Sequence, residues 1–119
     1  MTQPPDDPEI EVSTEHTAAA LASGDAQVID VRETYEREAG YIAGSRHIEL
    51  DQLASEAQTI DRERPVIFQC HMGSRSLMAA QAFRRAGYDA WSMAGGLERW
   101  AGEGRALETT KGPQRGPLE

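Results

Sequence analysis

Cys70 is the only cysteine of the chain, and it opens the run Cys70-His71-Met72-Gly73-Ser74-Arg75-Ser76. The apolar run Val66-Ile67-Phe68-Gln69 leads into it, and a helical pattern follows. A strand that breaks at a cysteine, crosses a short segment of glycine, serine and arginine, and re-enters a helix makes an anion-binding loop with a nucleophile at its base. The helix N-terminus supplies unpaired N–H groups and the positive end of a dipole. Those features favour thiolate over thiol and hold a negatively charged substrate. Gly73 tolerates the backbone geometry needed to turn N–H groups inward. Ser74 leaves room at the rim, and Arg75 is expected to be the main side-chain charge there. Ser76 is expected to cap the helix or donate to the anion. A lone cysteine at a strand end is more often a small buried hydrophobe. The Gly-Ser-Arg-Ser sequel and the helix start outweigh that reading here.

Fewer signals surround the other polar residues. Asp30 and Arg32 follow a second apolar run at the same expected sheet edge. Their plain reading is structural, a hydrogen bond to a neighbouring loop and an ion pair, with a supporting role in shaping the site as the alternative. Glu33 and Glu38 are candidate partners for arginines, and an acidic partner for Arg75 would weaken its pull on Cys70. His71 adjoins the nucleophile, but side chains of a cradle loop turn outward and a thiolate needs no base. Recognition of the donor or of a protein suits His71 better, and Met72 is expected at the exposed rim. The three histidines, His16, His47 and His71, are scattered without an i, i+4 pair, so no metal site is expected.

The elements that must position these residues are legible in outline. Glu9–Val12 reads as a short edge strand. Ser13 is a plausible N-cap for a helix that Gly24 closes. Gln27–Val31 reads as a buried strand and Glu33–Glu38 as a short polar helix or turn ending near Gly40. Ile48–Leu50 is expected to be extended, with Asp51 capping a helix to about Gln58. After a turn at Arg62–Pro65, Val66–Gln69 is a strand and Ser76–Ala86 a helix with Gly87 as C-cap. Ala90–Met93 is a further strand, followed by Gly95-Gly96 and a helix through Trp100. Strands alternating with helices point to an α/β fold with a mainly parallel sheet, in which ligands bind beyond the carboxyl ends of the strands.

The chain's 119 residues suit one domain. Twenty acidic against 12 basic residues leave a net charge of −8, with no basic cluster to offset it. Nucleic-acid and anionic-membrane binding are therefore not expected. No apolar stretch approaches the roughly 20 residues of a membrane span, and Met1–Asp7 lacks a signal-peptide pattern. One cysteine excludes an intramolecular disulfide, and a free thiol survives best in a reducing compartment. The expected location is the cytoplasm. Residues 1–8 read as a disordered lead-in. Arg105–Glu119 carries two Gly-Pro pairs and no apolar period, and a mobile tail is expected over 108–119.

Three ordered segments resemble the single-domain rhodaneses, the sulfurtransferase family. Val28-Ile29-Asp30-Val31-Arg32-Glu33 resembles that family's strand ending in Asp-Val-Arg. Gly40-Tyr41-Ile42-Ala43-Gly44-Ser45-Arg46-His47-Ile48 is similar to its Gly-His-Ile-Pro-Gly-Ala pattern, with Tyr41 in place of histidine and Ala43 in place of proline. Cys70–Ser76 resembles its active-site loop, and Gly95-Gly96-Leu97 with Trp100 its closing segment. The resemblance implies a three-layer rhodanese-like domain over 9–107, a mainly parallel central sheet flanked by helices. It also implies a thiosulfate sulfurtransferase: Cys70 takes sulfur from a small anionic donor such as thiosulfate and passes it on from a persulfide. Loop residues His71, Met72, Gly73, Ser74, Arg75 and Ser76 would bind substrate, with Asp30 and Arg32 in support, and no cofactor is implied. Related phosphatases and arsenate reductases have a loop one residue longer, whereas four residues separate Cys70 from Arg75 here. With no second cysteine, the acceptor (cyanide in an assay, a thiol or a protein) must be external. A persulfide carrier or regulatory docking module is the alternative outside catalysis.

Overall fold

The computed structural model describes residues 10–109. Five strands form a single sheet in the order β1-β5-β4-β2-β3, and every neighbouring pair is parallel. They are β1 (Glu11–Val12), β2 (Gln27–Asp30), β3 (Arg46–His47), β4 (Val66–Gln69) and β5 (Ala90–Met93). The helices are α1 (Thr14–Ser23), α2 (Thr34–Ala39), α3 (Leu53–Glu56), α4 (Ser74–Arg85) and α5 (Gly96–Gly102). The α/β reading holds, with a sheet wholly rather than mainly parallel.

Strand β4 is central because its side chains are apolar enough to be covered on both faces, and all four of its residues are buried. Alternation divides them. Val66 and Phe68 enter a cluster with Ile29, Leu53, Ile60, Ala79, Ala80 and Phe83, under α3 and α4. Ile67 enters the opposite cluster with Ala20, Val28, Met93, Leu97 and Trp100, under α1 and α5. Phe83 packs edge-on with Phe68 and tilted against Tyr88, with ring centroids 5.0 and 4.7 Å apart. The three layers thus follow from two apolar faces that must each be covered.

The departures from expectation lie at element ends. The edge strand is Glu11–Val12, and Glu9 lies outside the described residues. Strand β2 stops at Asp30, although the Val31 N–H still donates to the Gln69 carbonyl. The extended segment expected at Ile48–Leu50 is the strand Arg46–His47, because pairing with β2 rather than apolar content defines it. Ile48 and Leu50 nonetheless donate to the carbonyls of Asp30 and Val31. Asp51 does not cap a helix. It lies in a 3₁₀ turn, Leu50–Gln52, and a second such turn, Ala57–Thr59, follows the short α3. Helix α4 begins at Ser74 rather than Ser76, because Gly73 takes the capping position with φ +112°. Its C-cap is Ala86, and Gly87 follows at φ +95°.

The expected lead-in, residues 1–8, lies outside the described residues, as does the expected tail beyond Thr109. Glu108, the first residue of that tail, is tied to the domain by reciprocal backbone hydrogen bonds with Tyr41, each 2.8 Å. The Trp100 indole also holds the Ala106 carbonyl at 3.0 Å. No helix of the described residues is long and apolar enough to cross a membrane.

Candidate active site

Cys70 follows the last residue of β4, at the carboxyl edge of the sheet, and is 1% exposed. Two backbone N–H groups donate to its sulfur: Gly73 at 3.1 Å and Ser76 at 3.3 Å. The first turn of α4 explains this convergence. N–H groups there have no carbonyl inside the helix, so they point forward at whatever lies beneath the helix end. The sulfur occupies that place and feels the positive end of the helix dipole. The Cys70 thiol also lies 3.5 Å from the Ser76 hydroxyl.

Ser76 is the third residue of α4 and is fully buried, so it is not the helix cap. Its hydroxyl donates to the Gly73 carbonyl at 3.1 Å and meets the Ser92 hydroxyl of β5 at 2.8 Å. No sequence pattern singles out Ser92, which is fully buried in β5, where only Trp91 is partly exposed. These bonds fasten the loop's turn to the sheet below it.

The other side of the loop rests on α5. The Leu97 and Glu98 N–H groups donate to the carbonyls of Cys70 and His71 at 2.8 and 2.9 Å. Gly96 makes this contact possible. A Cβ there would lie 2.4 Å from the His71 carbonyl oxygen and 2.6 Å from that of Cys70, and its φ is +60°. The second glycine of the Gly95-Gly96 pair is thus a close-approach residue, and it keeps the loop's carbonyls engaged by α5. His71, Met72 and Ser74 are exposed at the rim, with Met72 63% exposed.

Arg75 does not stand as a free charge. Its guanidinium pairs bidentately with Glu36 of α2 at 2.8 and 2.9 Å. Glu33 and Glu38 were the expected acidic partners, and Glu36 takes that place. The Arg75 hydrogen bonds hold the Glu36 carboxyl down to a pKa of about 2, against the opposing effect of burial. The same carboxylate raises the Arg75 pKa further. Glu36 also accepts from the Glu33 N–H at 2.8 Å, the i, i+3 link of a capping box. That spacing was the local signal for Glu36. Its pairing with Arg75, 39 residues away, carried none.

Asp30 and Arg32 make no hydrogen bond to the Cys70 loop among the described residues. Asp30 is fully buried and accepts from the Arg32 side chain at 2.9 and 2.8 Å, with Arg37 3.4 Å away. Arg32 also donates to the carbonyls of Glu36 and Gly40, at 3.3 and 2.7 Å. The pair therefore fastens the middle and the C-terminal end of α2 to β2, and α2 carries Glu36 to Arg75. Among the described residues, no group of three or more histidine, cysteine or acidic side chains is arranged to hold a metal ion.

The profile of the rhodanese-like domain family matches residues 13–103. The chain is 40% identical over 82 residues to the uncharacterized protein YqhL of Bacillus subtilis, covering 68% of this chain and 65% of that protein. It therefore spans just under two thirds of that relative's length. It is 36% identical over 84 residues to the thiosulfate sulfurtransferase GlpE of Pseudomonas aeruginosa (strain LESB58), covering 70% of this chain and 76% of that protein. Among solved structures, the rhodanese-related protein of Thermoplasma volcanium superposes with a TM-score of 0.76 at 25% identity, covering 82% of this chain and 95% of that one.

Proposed function

The chain belongs to the rhodanese-like domain family, and on that premise we propose that it is a sulfurtransferase of the thiosulfate type that works through a Cys70 persulfide. In the first half-reaction the Cys70 thiolate attacks the outer sulfur of thiosulfate. A bond forms between Sγ and that sulfur, the donor's sulfur–sulfur bond breaks, and sulfite leaves with the bonding pair. In the second, a thiophilic acceptor attacks the outer sulfur of the persulfide and Cys70 returns as thiolate. The single cysteine makes that acceptor external.

The observation that carries this reading is the pair of N–H groups, from Gly73 and Ser76, aimed at the Cys70 sulfur. Donors fixed before the reaction stabilise negative sulfur without reorganising during it. The exposed His71, Met72 and Ser74 border the approach and are assigned donor or acceptor recognition. Asp30 and Arg32 support the site through α2.

Sulfur transfer from thiosulfate to cyanide, followed as thiocyanate, tests the assignment. Wild-type protein should turn over, and Cys70→Ser and Cys70→Ala should both lose activity while keeping the wild-type circular dichroism and melting midpoint within a few degrees. Turnover by a folded Cys70→Ala variant would sink the proposal. A Cys70→Ser variant that still engages acceptor proteins, in a wild type that never turns over, would favour the docking module instead.

A further inference from the structure

Arg75 is the only arginine or lysine between Cys70 and Ser76. Arg75 directly precedes Ser76, whose N–H donates to the Cys70 sulfur at 3.3 Å, and negative charge on that sulfur raises the guanidinium's pKa further. An anionic donor arriving at that sulfur would meet it, were it not already bound to Glu36 through two hydrogen bonds. The pair is no flexible surface contact. Side-chain exposure is 32% for Arg75 and 18% for Glu36. Glu36 is further held by the Glu33 N–H, and its own carbonyl by Arg32. Glu33 adds a second negative charge near Arg75.

Resting on the sulfurtransferase reading above, we propose that Glu36 sets the donor preference of the site: by holding Arg75 it cancels the loop's one cationic side chain. Backbone N–H groups alone then meet the incoming sulfur, which narrows the advantage of doubly charged thiosulfate relative to a singly charged alkyl persulfide. The physics is a difference of charges. Dipoles converging on one sulfur stabilise one negative charge well. A second charge on the donor gains from a nearby uncompensated cation, and loses about twice as much as a monoanion when that cation is neutralised. The transfer step is the same for both donors: Cys70 attacks the outer sulfur, the sulfur–sulfur bond breaks, and an alkyl thiolate or sulfite leaves.

The test compares kcat/KM for thiosulfate and for the persulfide of 2-mercaptoethanol, with cyanide as acceptor, in wild type, Glu36→Gln, Arg75→Gln and the double variant. Glutamine keeps the acceptor oxygen and removes the charge. Glu36→Gln should raise the thiosulfate-to-persulfide ratio by about tenfold, through KM for thiosulfate. Arg75→Gln leaves Glu36 uncompensated and should move the ratio the other way. The double variant, neutral again, should return near the wild-type ratio. A Glu36→Gln variant that loses both donors equally would overturn the proposal, since it would make the pair only a fastener of the loop. If that variant does not fold, an unchanged ratio in Arg75→Gln overturns it as well. A wild type that takes sulfur from neither donor would bring down the sulfurtransferase reading itself, a separate result.

Discussion

At the scale of single residues, the polar groups closest to the Cys70 sulfur are committed to partners. Ser76 illustrates this. Its N–H faces the Cys70 sulfur while its hydroxyl bridges the Gly73 carbonyl and Ser92. Ser76→Ala keeps the N–H and removes the bridge, leaving the buried Ser92 hydroxyl without this partner. The expected cost is about 1–3 kcal/mol of stability, read from urea unfolding, with KM for donors changed less than kcat. Adding Ser92→Ala should recover part of that loss, because both partners are then apolar; a double variant that loses the sum of both singles would contradict the account. Gln69 is the exception to commitment. It is fully buried beside Cys70 in sequence, and neither of its amide atoms has a hydrogen-bond partner among the described residues.

At the scale of elements, three helices fix the loop from three sides: α4 aims its N–H groups at Cys70, α5 holds the carbonyls of Cys70 and His71, and α2 holds Arg75. Gly96 is where α5 touches. Gly96→Ala puts a Cβ against backbone oxygens that cannot rotate away, at a φ that disfavours alanine. The loop must shift, and a displacement of the order of 1 Å at a reacting centre costs about a hundredfold in rate. Activity should therefore fall much further than stability, whereas Gly102→Ala, with nothing within 4 Å of the added carbon, should behave as wild type. These contacts also mark what the sequence could and could not tell. Strand β4 and the start of the loop are legible because an apolar run that breaks at a cysteine before a glycine- and serine-bearing segment leaves a local pattern. Strand β3 lies two residues before the expected Ile48–Leu50 because two residues of pairing have no pattern of their own. Helix α4 begins two residues before the expected Ser76 because Ser76 resembles a cap in sequence, while the cap is Gly73. Arg75 is the expected main charge of the loop with Glu33 and Glu38 as candidate arginine partners, and its actual partner Glu36 sits on another helix, a relation only tertiary structure reveals.

At the scale of the molecule, charge and site oppose one another. The net charge of −8 repels an anionic donor, and the neutralised Arg75 does nothing locally to offset it. Salt screens that repulsion, so kcat/KM for thiosulfate in the wild type should rise by about two- to threefold between about 0.01 M and about 0.15 M salt. A fall with salt would mean that an uncompensated cation steers the donor after all. Sulfur transfer through Cys70 is read from the intact mass of the protein after incubation with thiosulfate and removal of small molecules. The wild type should gain one sulfur atom, reversed by a thiol or by cyanide, and Cys70→Ser should gain none. An unchanged wild-type mass alongside active thiocyanate production, or an equal gain on Cys70→Ser, would contradict transfer through Cys70.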